Sequence, residues 1–190
     1  GIRVQLVNSE KGSAIFSRSG ENISASFPEL SKETIDNSIL DGELVVMRGK
    51  EIGSFNDLQK RLNKQKPTKK DIENYPTVVI VYDLLSYKEK SFRKKTLSER
   101  RSLLESLFKT GKTSCKLILS PTIPFKDSQE LQDLVDGLRL NRENKYEGLM
   151  IKKKASEYVS GRPKGEWFKW KKEPHLVDAV LMYAQRGHGK

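Results

Sequence analysis

The amino-acid sequence predicts an α+β fold with mainly antiparallel sheets and packed helices. Segments in which apolar and polar residues alternate open the chain, and further strand patterns close it. Amphipathic helical patterns lie between them, and the β-branched run at residues 78–82 is apolar enough for a central strand buried on both faces. The 190 residues suffice for one domain with its own core.

The first half of the chain begins with alternating apolar and polar residues, which predict a strand that residues 14–16 extend into a hairpin. A short helix is expected after Pro28, followed by a strand at residues 39–47. The apolar spacing of residues 55–62 predicts a helix. The basic stretch at residues 60–70 indicates a helix end and a solvated loop.

In the second half, Thr96 and Glu99 have the spacing of a capping box, which predicts the start of a helix. A strand is expected at residues 116–119, with Cys115 beside it as a small core residue. The amphipathic pattern at residues 131–138 predicts another helix. The expected closing strands are residues 148–152, 167–171 and 177–183.

The composition indicates an anionic partner. Lys and Arg number 36 against 25 Asp and Glu, which gives a net charge of +11 and an isoelectric point near 9.6. Because such a field attracts phosphates, nucleic acid is the leading partner. The longest apolar run, residues 78–81, is far shorter than the roughly 20 residues of a membrane span. A single cysteine excludes an internal disulfide and a cysteine-based zinc cage.

Residues 167–171 form a candidate phosphate-binding strand. On a strand, Lys169 and Lys171 point to one face, about 7 Å apart, while Phe168 and Trp170 point to the other. Two ammonium groups on one face suit a nucleotide phosphate. An ordinary strand with a charged solvent face explains this segment equally well.

Carboxylates within apolar segments are the second signal. Asp41 and Glu43 interrupt an apolar strand, and buried carboxylates need a partner or a metal. Glu147 and Lys152 stand at the ends of another predicted strand. Together with the lysines of residues 167–171, these side chains describe a site the size of a phosphate.

A series of segments, in this order, resembles the nucleotidyltransferase (adenylation) domain of bacterial-type ATP-dependent DNA ligases. The resemblance covers nearly the whole chain and implies an ATP-grasp-like domain of that family. The matching segments are Gly1-Ile-Arg3, Phe16-Ser-Arg-Ser-Gly-Glu21, Phe27-Pro-Glu-Leu30, Leu40-Asp-Gly-Glu43, residues 55–61, Tyr82-Asp-Leu-Leu85, Glu147-Gly-Leu-Met-Ile-Lys152 and Trp167-Phe-Lys-Trp-Lys171.

The resemblance also implies a domain organisation. Residues 1–183 correspond to an adenylation domain without its N-terminal segment, and residues 184–190 to the start of a linker toward an OB-fold domain. The family's nucleophile motif is Lys-x-Asp-Gly followed by x-Arg, so Gly1-Ile2-Arg3 matches only its end. The nucleophilic lysine is therefore expected three positions before Gly1, and the chain is expected to be truncated and inactive alone.

ATP is the substrate that the resemblance implies, with AMP as the transferred group. Arg3 would reach the nucleotide, and Arg18 would contact the nucleotide or the nick phosphate. Tyr82 would stack on adenine, and Lys169 and Lys171 would hold the α-phosphate. A surface charge at Arg18 and a core aromatic at Tyr82 are the alternative interpretations.

The resemblance implies Mg²⁺ or Mn²⁺ as the metal. Glu43 would bind the ribose or a metal-bound water, and Glu147 would help to place the catalytic metal. These two carboxylates are the expected metal-site residues.

The implied function is the sealing of nicks in duplex DNA through lysyl-AMP and DNA-adenylate intermediates, in DNA repair, replication and recombination. The implied protein is a monomer in the bacterial cytoplasm, associated with the nucleoid and not with a membrane, and an accessory end-processing protein is a further partner to consider. Two alternatives remain open. One is an RNA ligase or capping-type nucleotidyltransferase, and the other is a catalytically dead, basic DNA-binding module.

Overall fold

The computed structural model describes residues 1–10, 12–31, 35–111, 113–140, 148–161, 164–171 and 183. Within these residues, strands dominate the beginning and end of the chain, and helices lie between them. The elements are β1 (Ile2–Ser9), β2 (Gly12–Ser17), β3 (Ser38–Arg48), β4 (Glu51–Ile52), α1 (Phe55–Leu62), α2 (Lys69–Asn74), β5 (Thr77–Tyr87), β6 (Lys90–Ser91), α3 (Leu97–Lys109), β7 (Leu117–Leu119), α4 (Ser128–Leu140), β8 (Gly148–Lys152) and β9 (Trp167–Lys171).

Strands β1 to β7 form one sheet in the order β2-β1-β3-β5-β6, with β4 beside β3 and β7 beside β5. The described strand pairs in this sheet are antiparallel except for β5 and β7, which run parallel. Strands β8 and β9 form a separate antiparallel pair. The predicted α+β class with mainly antiparallel sheets is confirmed.

The two faces of the large sheet differ in chemistry. Val4, Leu6, Leu40 and Leu44 are buried in one hydrophobic cluster, which also contains residues of α1 and α3. Because side chains alternate along a strand, the residues between them point to the opposite face. That opposite face of β1 and β3 carries Arg3, Gln5, Asp41 and Glu43, with Arg3 paired to Glu43 and Gln5 to Asp41.

A buried ion pair connects α1 to the segment before β3. The fully buried Arg61 donates to both carboxylate oxygens of Glu29, at 2.8 and 2.9 Å, and to the carbonyl oxygens of Ser26 and Tyr75. This pair connects two of the segments on which the resemblance rests, residues 27–30 and 55–61.

Helices α1 and α3 begin where the sequence places them, and α4 begins three residues before the predicted residue 131. Thr96 and Glu99 form the predicted capping box at the start of α3. Thr68 and Asp71 form another and begin α2 within the stretch that was expected to be a loop. The loop prediction for residues 60–70 is therefore wrong at its C-terminal end, because Asp71 takes the place that Glu usually has in this motif.

Three other local expectations need correction. The short helical turn lies at Ser24–Ser26, before Pro28, and the described residues directly after Pro28 form a turn. Cys115 is exposed and not a core residue. Strand β5 extends to Tyr87, and its residues 78, 80 and 82 are only half-buried because they lie on the polar face of the sheet.

Part of the predicted C-terminal structure is not covered. The expected strand at residues 177–183 and the linker at 184–190 lie outside the described residues, apart from Tyr183. Among the helices that the structure describes, none is both long and apolar enough to cross a membrane.

Candidate functional site

Asp41 is the centre of the polar face. Its fully buried carboxylate accepts hydrogen bonds from Arg3 at 2.6 and 3.0 Å. The hydroxyl groups of Tyr158 and Tyr82 donate to the same carboxylate at 2.7 and 3.1 Å. The bond to Asp41 raises the pKa of Arg3, so its guanidinium remains charged. One carboxylate thus fixes side chains from three strands or loops.

A β-bulge places Tyr82 in this cluster. On β3, Asp41 and Gly42 are neighbours, but their partners on β5 are Asp83 and Val81, so Tyr82 is the extra residue. Burial is the main cause of a raised pKa at Tyr82, and the nearby Asp41 adds to it. The phenol therefore stays protonated and continues to donate to Asp41.

The close approach of strands at this bulge also explains Gly42. A Cβ atom at that position would lie 2.6 Å from Cγ1 of Val79 and 2.9 Å from the carbonyl oxygen of Ile80. A glycine is therefore required between the two acidic residues Asp41 and Glu43.

Lys152, at the end of β8, lies over two aromatic rings. Its Nζ atom is 4.3 Å from the ring centroid of Tyr82 and 4.1 Å from that of Trp167. Burial lowers the pKa of Lys152 to about 8, and the charges of Asp83 and Asp41 limit that decrease. In the described part of the chain, no carboxylate oxygen lies within 4.0 Å of this ammonium group.

A second ion pair lies next to Asp41 on the neighbouring strand. Arg100 of α3 donates to both oxygens of Asp83, at 2.8 and 3.0 Å, and both side chains are fully buried. Arg100 also donates to the carbonyl oxygens of Lys95 and Ser156. It thereby joins α3 to the connection between β8 and β9.

The β8–β9 hairpin presents its lysines as the sequence predicts. Lys169 pairs with Met150 and Lys171 with Gly148, so both lysines share the face that carries Lys152. Gly148 has φ 149°, and a Cβ atom there would lie 1.9 Å from the carbonyl oxygen of Trp170. Only glycine fits at this position, which explains the Glu-Gly pair at the start of β8.

The structure brings only some of the predicted site residues together. Arg3 and Tyr82 bind Asp41, and Glu43 is the cross-strand partner of Arg3 on the same face. Arg18 is exposed at the turn after β2 and takes no part in the Asp41 cluster. Glu147 lies outside the described residues, so its predicted role is not tested.

The fit of a metal ion depends on the carboxylates of this face. No group of three or more His, Cys, Asp and Glu side chains in the described ranges could hold a metal. Both oxygens of Asp41 are already occupied by donors. Glu43 is half-buried on the same face, and Mg²⁺ is often held by one or two carboxylates together with substrate phosphates. These residues would fit a divalent ion that took Glu43 as a protein ligand and nucleotide phosphates as most of its other ligands.

Tyr158 is a site residue that the sequence does not single out. Lys152 is recognisable in the sequence only as a charge at a strand end, and Tyr158 is 117 positions away from Asp41, its hydrogen-bond partner. The buried role of Asp41 is partly predictable, because a carboxylate in an apolar strand needs a partner. That its partners are Arg3 and two tyrosines depends on the strand register.

Comparison with known proteins agrees with this geometry. Residues 1–171 match the protein family described as ATP dependent DNA ligase domain. The chain is 32% identical over 212 residues to a probable DNA ligase of Koribacter versatilis, and 31% identical over 211 residues to a DNA ligase of Methanococcus maripaludis. Each alignment covers the whole chain and 36% of the relative, so the chain spans about a third of their length.

Solved structures show the same fold. Mycobacterial DNA ligase D complexed with ATP and MES matches 90% of the chain and 51% of its own length, at 26% identity and a TM-score of 0.68. The Chlorella virus DNA ligase–adenylate matches 90% of the chain and 59% of its own length, at 20% identity and a TM-score of 0.61. The chain belongs to the ATP-dependent DNA ligase family and has the fold of its adenylation domain.

Proposed function

We propose that this chain is the nucleotide-binding part of a ligase that joins nicks in duplex DNA through lysyl-AMP and DNA-adenylate. One observation carries the proposal. A cationic and aromatic cluster, Arg3, Tyr82 and Lys152, lies around Asp41 where the polar face of the large sheet meets the β8–β9 hairpin. A phosphate needs cations and a base needs an aromatic ring, and the cluster supplies both.

Different side chains of the site are proposed to bind different parts of the nucleotide. Tyr82 offers its ring to adenine, while Asp41 holds its hydroxyl and so limits rotation of the ring. Arg3, Lys169 and Lys171 supply charge for the phosphates, and Arg18 would contact a phosphate of nucleotide or nick. Charge placed in advance around the reacting phosphate is worth most in a site that excludes water.

Glu43 and Glu147 are the residues we propose for a divalent metal, Mg²⁺ or Mn²⁺. Such an ion would neutralise phosphate charge when bound. Glu43 would hold either the ribose or a metal-bound water from its position beside Arg3.

The attacking amine is expected from outside these 190 residues. No lysine of the chain stands in a Lys-x-Asp-Gly context, whereas Gly1-Ile2-Arg3 matches the end of that motif. Lys169 and Lys171 would approach the phosphate from the side, which is a poor direction for nucleophilic attack. We propose that residues 1–183 are the adenylation domain and that residues 184–190 lead toward an OB-fold domain.

Intact-mass measurement tests the nucleotide chemistry. The 190-residue chain incubated with ATP and Mg²⁺ should gain no AMP, and a chain extended upstream to include Lys-x-Asp should gain one.

In the extended chain, Lys171→Ala should slow the reaction about 10²–10³-fold, the size of losing one preorganised charge. Lys94→Ala, an exposed lysine outside the cluster, is the matched control. An adduct on the 190-residue chain would contradict the proposed role of the upstream lysine, and preference for GTP would favour a capping-type enzyme.

Salt dependence tests the DNA substrate. The net charge of +11 and the basic stretches at residues 60–70 and 152–154 motivate binding to duplex DNA without base specificity. If about six phosphates are contacted, affinity should fall about 10³-fold between 50 and 200 mM salt. Equal affinity at both salt concentrations would contradict DNA binding through phosphates. Normal DNA binding by an extended chain that forms no adduct would support the catalytically dead module instead.

A further inference from the structure

Tyr158 connects two parts of the site that are far apart in the sequence. It lies in the connection between β8 and β9, and its hydroxyl group donates to Asp41 of β3 at 2.7 Å. The same hydroxyl accepts hydrogen bonds from Arg3 at 2.5 Å and from Gln5 at 3.3 Å, both on β1. No other described side chain of this connection hydrogen-bonds to β1 or β3.

The ring of Tyr158 is held as firmly as its hydroxyl. The guanidinium carbons of Arg93 and Arg100 lie 5.5 and 5.8 Å from the ring centroid, and Trp167 meets the ring edge-on at 6.1 Å. Its backbone N–H donates to the carbonyl oxygen of Arg93 at 2.8 Å. The two guanidinium groups, the edge-on tryptophan and the backbone bond restrict the ring, and the hydroxyl is directed at Asp41.

We infer that Asp41 and Tyr158 form a positioning pair, which holds the lysine hairpin β8–β9 against the sheet that carries Arg3 and Tyr82. Asp41 fixes the two sheet residues directly. Tyr158 fixes the hairpin, since Trp167 of β9 packs on its ring and Lys152 of β8 packs on Trp167. Neither Asp41 nor Tyr158 needs to touch the nucleotide. The nucleotide part of this inference rests on the proposed function.

The hydroxyl of Tyr158 keeps its proton well above neutral pH. Burial and the neighbouring Asp41 raise the pKa of Tyr158 to about 12. The other charged groups around it are the guanidinium groups of Arg3, Arg93 and Arg100. The phenol therefore stays a donor to Asp41 at neutral and moderately alkaline pH.

Tyr158→Phe removes the anchoring oxygen and retains the ring. In the 190-residue chain without nucleotide, the amides of β8 and β9 should exchange hydrogen roughly tenfold faster, while those of β1, β3 and β5 keep their rates. The dissociation constant for ATP should rise roughly tenfold. Tryptophan fluorescence can follow ATP binding, because both tryptophans of the chain, Trp167 and Trp170, lie on β9.

Tyr75→Phe is the matched control. It removes a hydroxyl that accepts a hydrogen bond from Lys60 at 3.2 Å, outside the Asp41 cluster, and should change neither hairpin exchange nor ATP affinity. The inference is wrong if Tyr158→Phe keeps the wild-type exchange rates, or if both variants lose protection equally. A wild-type chain that binds no ATP would contradict the proposed function, and hydrogen exchange would still decide whether the pair holds the hairpin.

Discussion

Two arginine–aspartate pairs, whose aspartates lie side by side on β3 and β5, differ in their exposure to solvent. Asp41 and Asp83 are direct partners in the strand register, and each accepts two hydrogen bonds from one arginine. In the Arg100–Asp83 pair both side chains are fully buried. In the Arg3–Asp41 pair the carboxylate is buried, but the arginine side chain is 39% exposed.

The two pairs differ in how much of the arginine remains exposed to solvent. Arg100 also donates hydrogen bonds to the carbonyl oxygens of Lys95 and Ser156. The Arg100–Asp83 pair, which we call the closed pair, therefore joins elements of the fold. Arg3 shares Asp41 with two tyrosines and keeps part of its guanidinium in solvent, where an anion can reach it. Because only the arginine of the Arg3–Asp41 pair is exposed, we propose that this pair binds an anion, whereas the Arg100–Asp83 pair is structural.

Breaking the closed pair should have the largest effect. Arg100→Met leaves the Asp83 carboxylate buried and unpaired, which should lower the free energy of unfolding by about 3–5 kcal/mol. Arg101→Met, one residue along α3, is the control, because Arg101 pairs with Glu105 at the partly exposed surface of the helix and its loss should cost much less. Urea unfolding of both variants provides the measurement. Equal costs would mean that burial of the Arg100 pair does not determine its contribution.

Breaking the Arg3–Asp41 pair should lower stability less than breaking the Arg100–Asp83 pair, and it should weaken ATP binding. Arg3→Met should lower the free energy of unfolding by about 1–2 kcal/mol, because Tyr82 and Tyr158 still donate to Asp41 and solvent screens the exposed guanidinium. ATP affinity should fall at least roughly tenfold, since an arginine contributes a charge-assisted bond to a phosphate. Isothermal titration and urea unfolding separate the two effects. A stability loss as large as that of Arg100→Met, with unchanged ATP affinity, would make Arg3 a structural residue.

Lys152 offers a smaller test within the same neighbourhood. Its pKa of about 8 is lower than the 10.5 of an unperturbed lysine, so between these values the unfolded chain binds more protons than the folded one. The stability of the wild type relative to Lys152→Met should therefore rise between pH 8 and 10.5. We expect a rise of about 1–2 kcal/mol, less than full conversion of the shift, because the two aromatic rings favour the charged ammonium.

The control for this pH series is Lys153→Met, whose side chain is largely exposed beside Glu166. The rise in stability measured against Lys152→Met should exceed the rise measured against this exposed lysine. Burial raises the pKa of both Tyr82 and Tyr158, so neither phenol loses its proton between pH 8 and 10.5 and confuses the result. A flat difference between wild type and Lys152→Met would show that the ammonium is not desolvated.

Local pattern predicts the elements of this fold better than their contacts. The capping box at Thr96 and the alternation of residues 167–171 depend on neighbours in the sequence, and both predictions are confirmed. The helix α2 escapes prediction because Asp71 substitutes for Glu in a capping box within a basic stretch. Such local errors do not change the fold, since the core residues of β1, β3 and β5 determine the packing.

The site is harder to predict, because it depends on register and on long-range partners. Tyr82 joins the Asp41 cluster because of a β-bulge that the residue types around it do not predict. Tyr158 and Asp41 are 117 positions apart in the sequence, and only the docking of the hairpin connection brings them together. The resemblance supplies Arg3, Glu43 and Tyr82 as expected site residues, but the role of Asp41 as the common partner of Arg3 and Tyr82 follows only from the fold.

An exposed pair completes the comparison and should have the smallest effect. Lys64 and Asp71 are 2.5 Å apart, yet the lysine side chain is 48% exposed, and Asp71 also caps α2. The pKa of Asp71 is lowered first by Lys64 and then by its bonds to Thr68. Because solvent screens the ion pair and the cap survives without it, Lys64→Met should leave the melting temperature unchanged within about 2 °C. Thr68→Ala, which removes the cap, should lower it more, and 0.5 M salt should not alter that loss. A larger decrease for Lys64→Met than for Thr68→Ala would show that exposure does not rank the ion pairs of this protein.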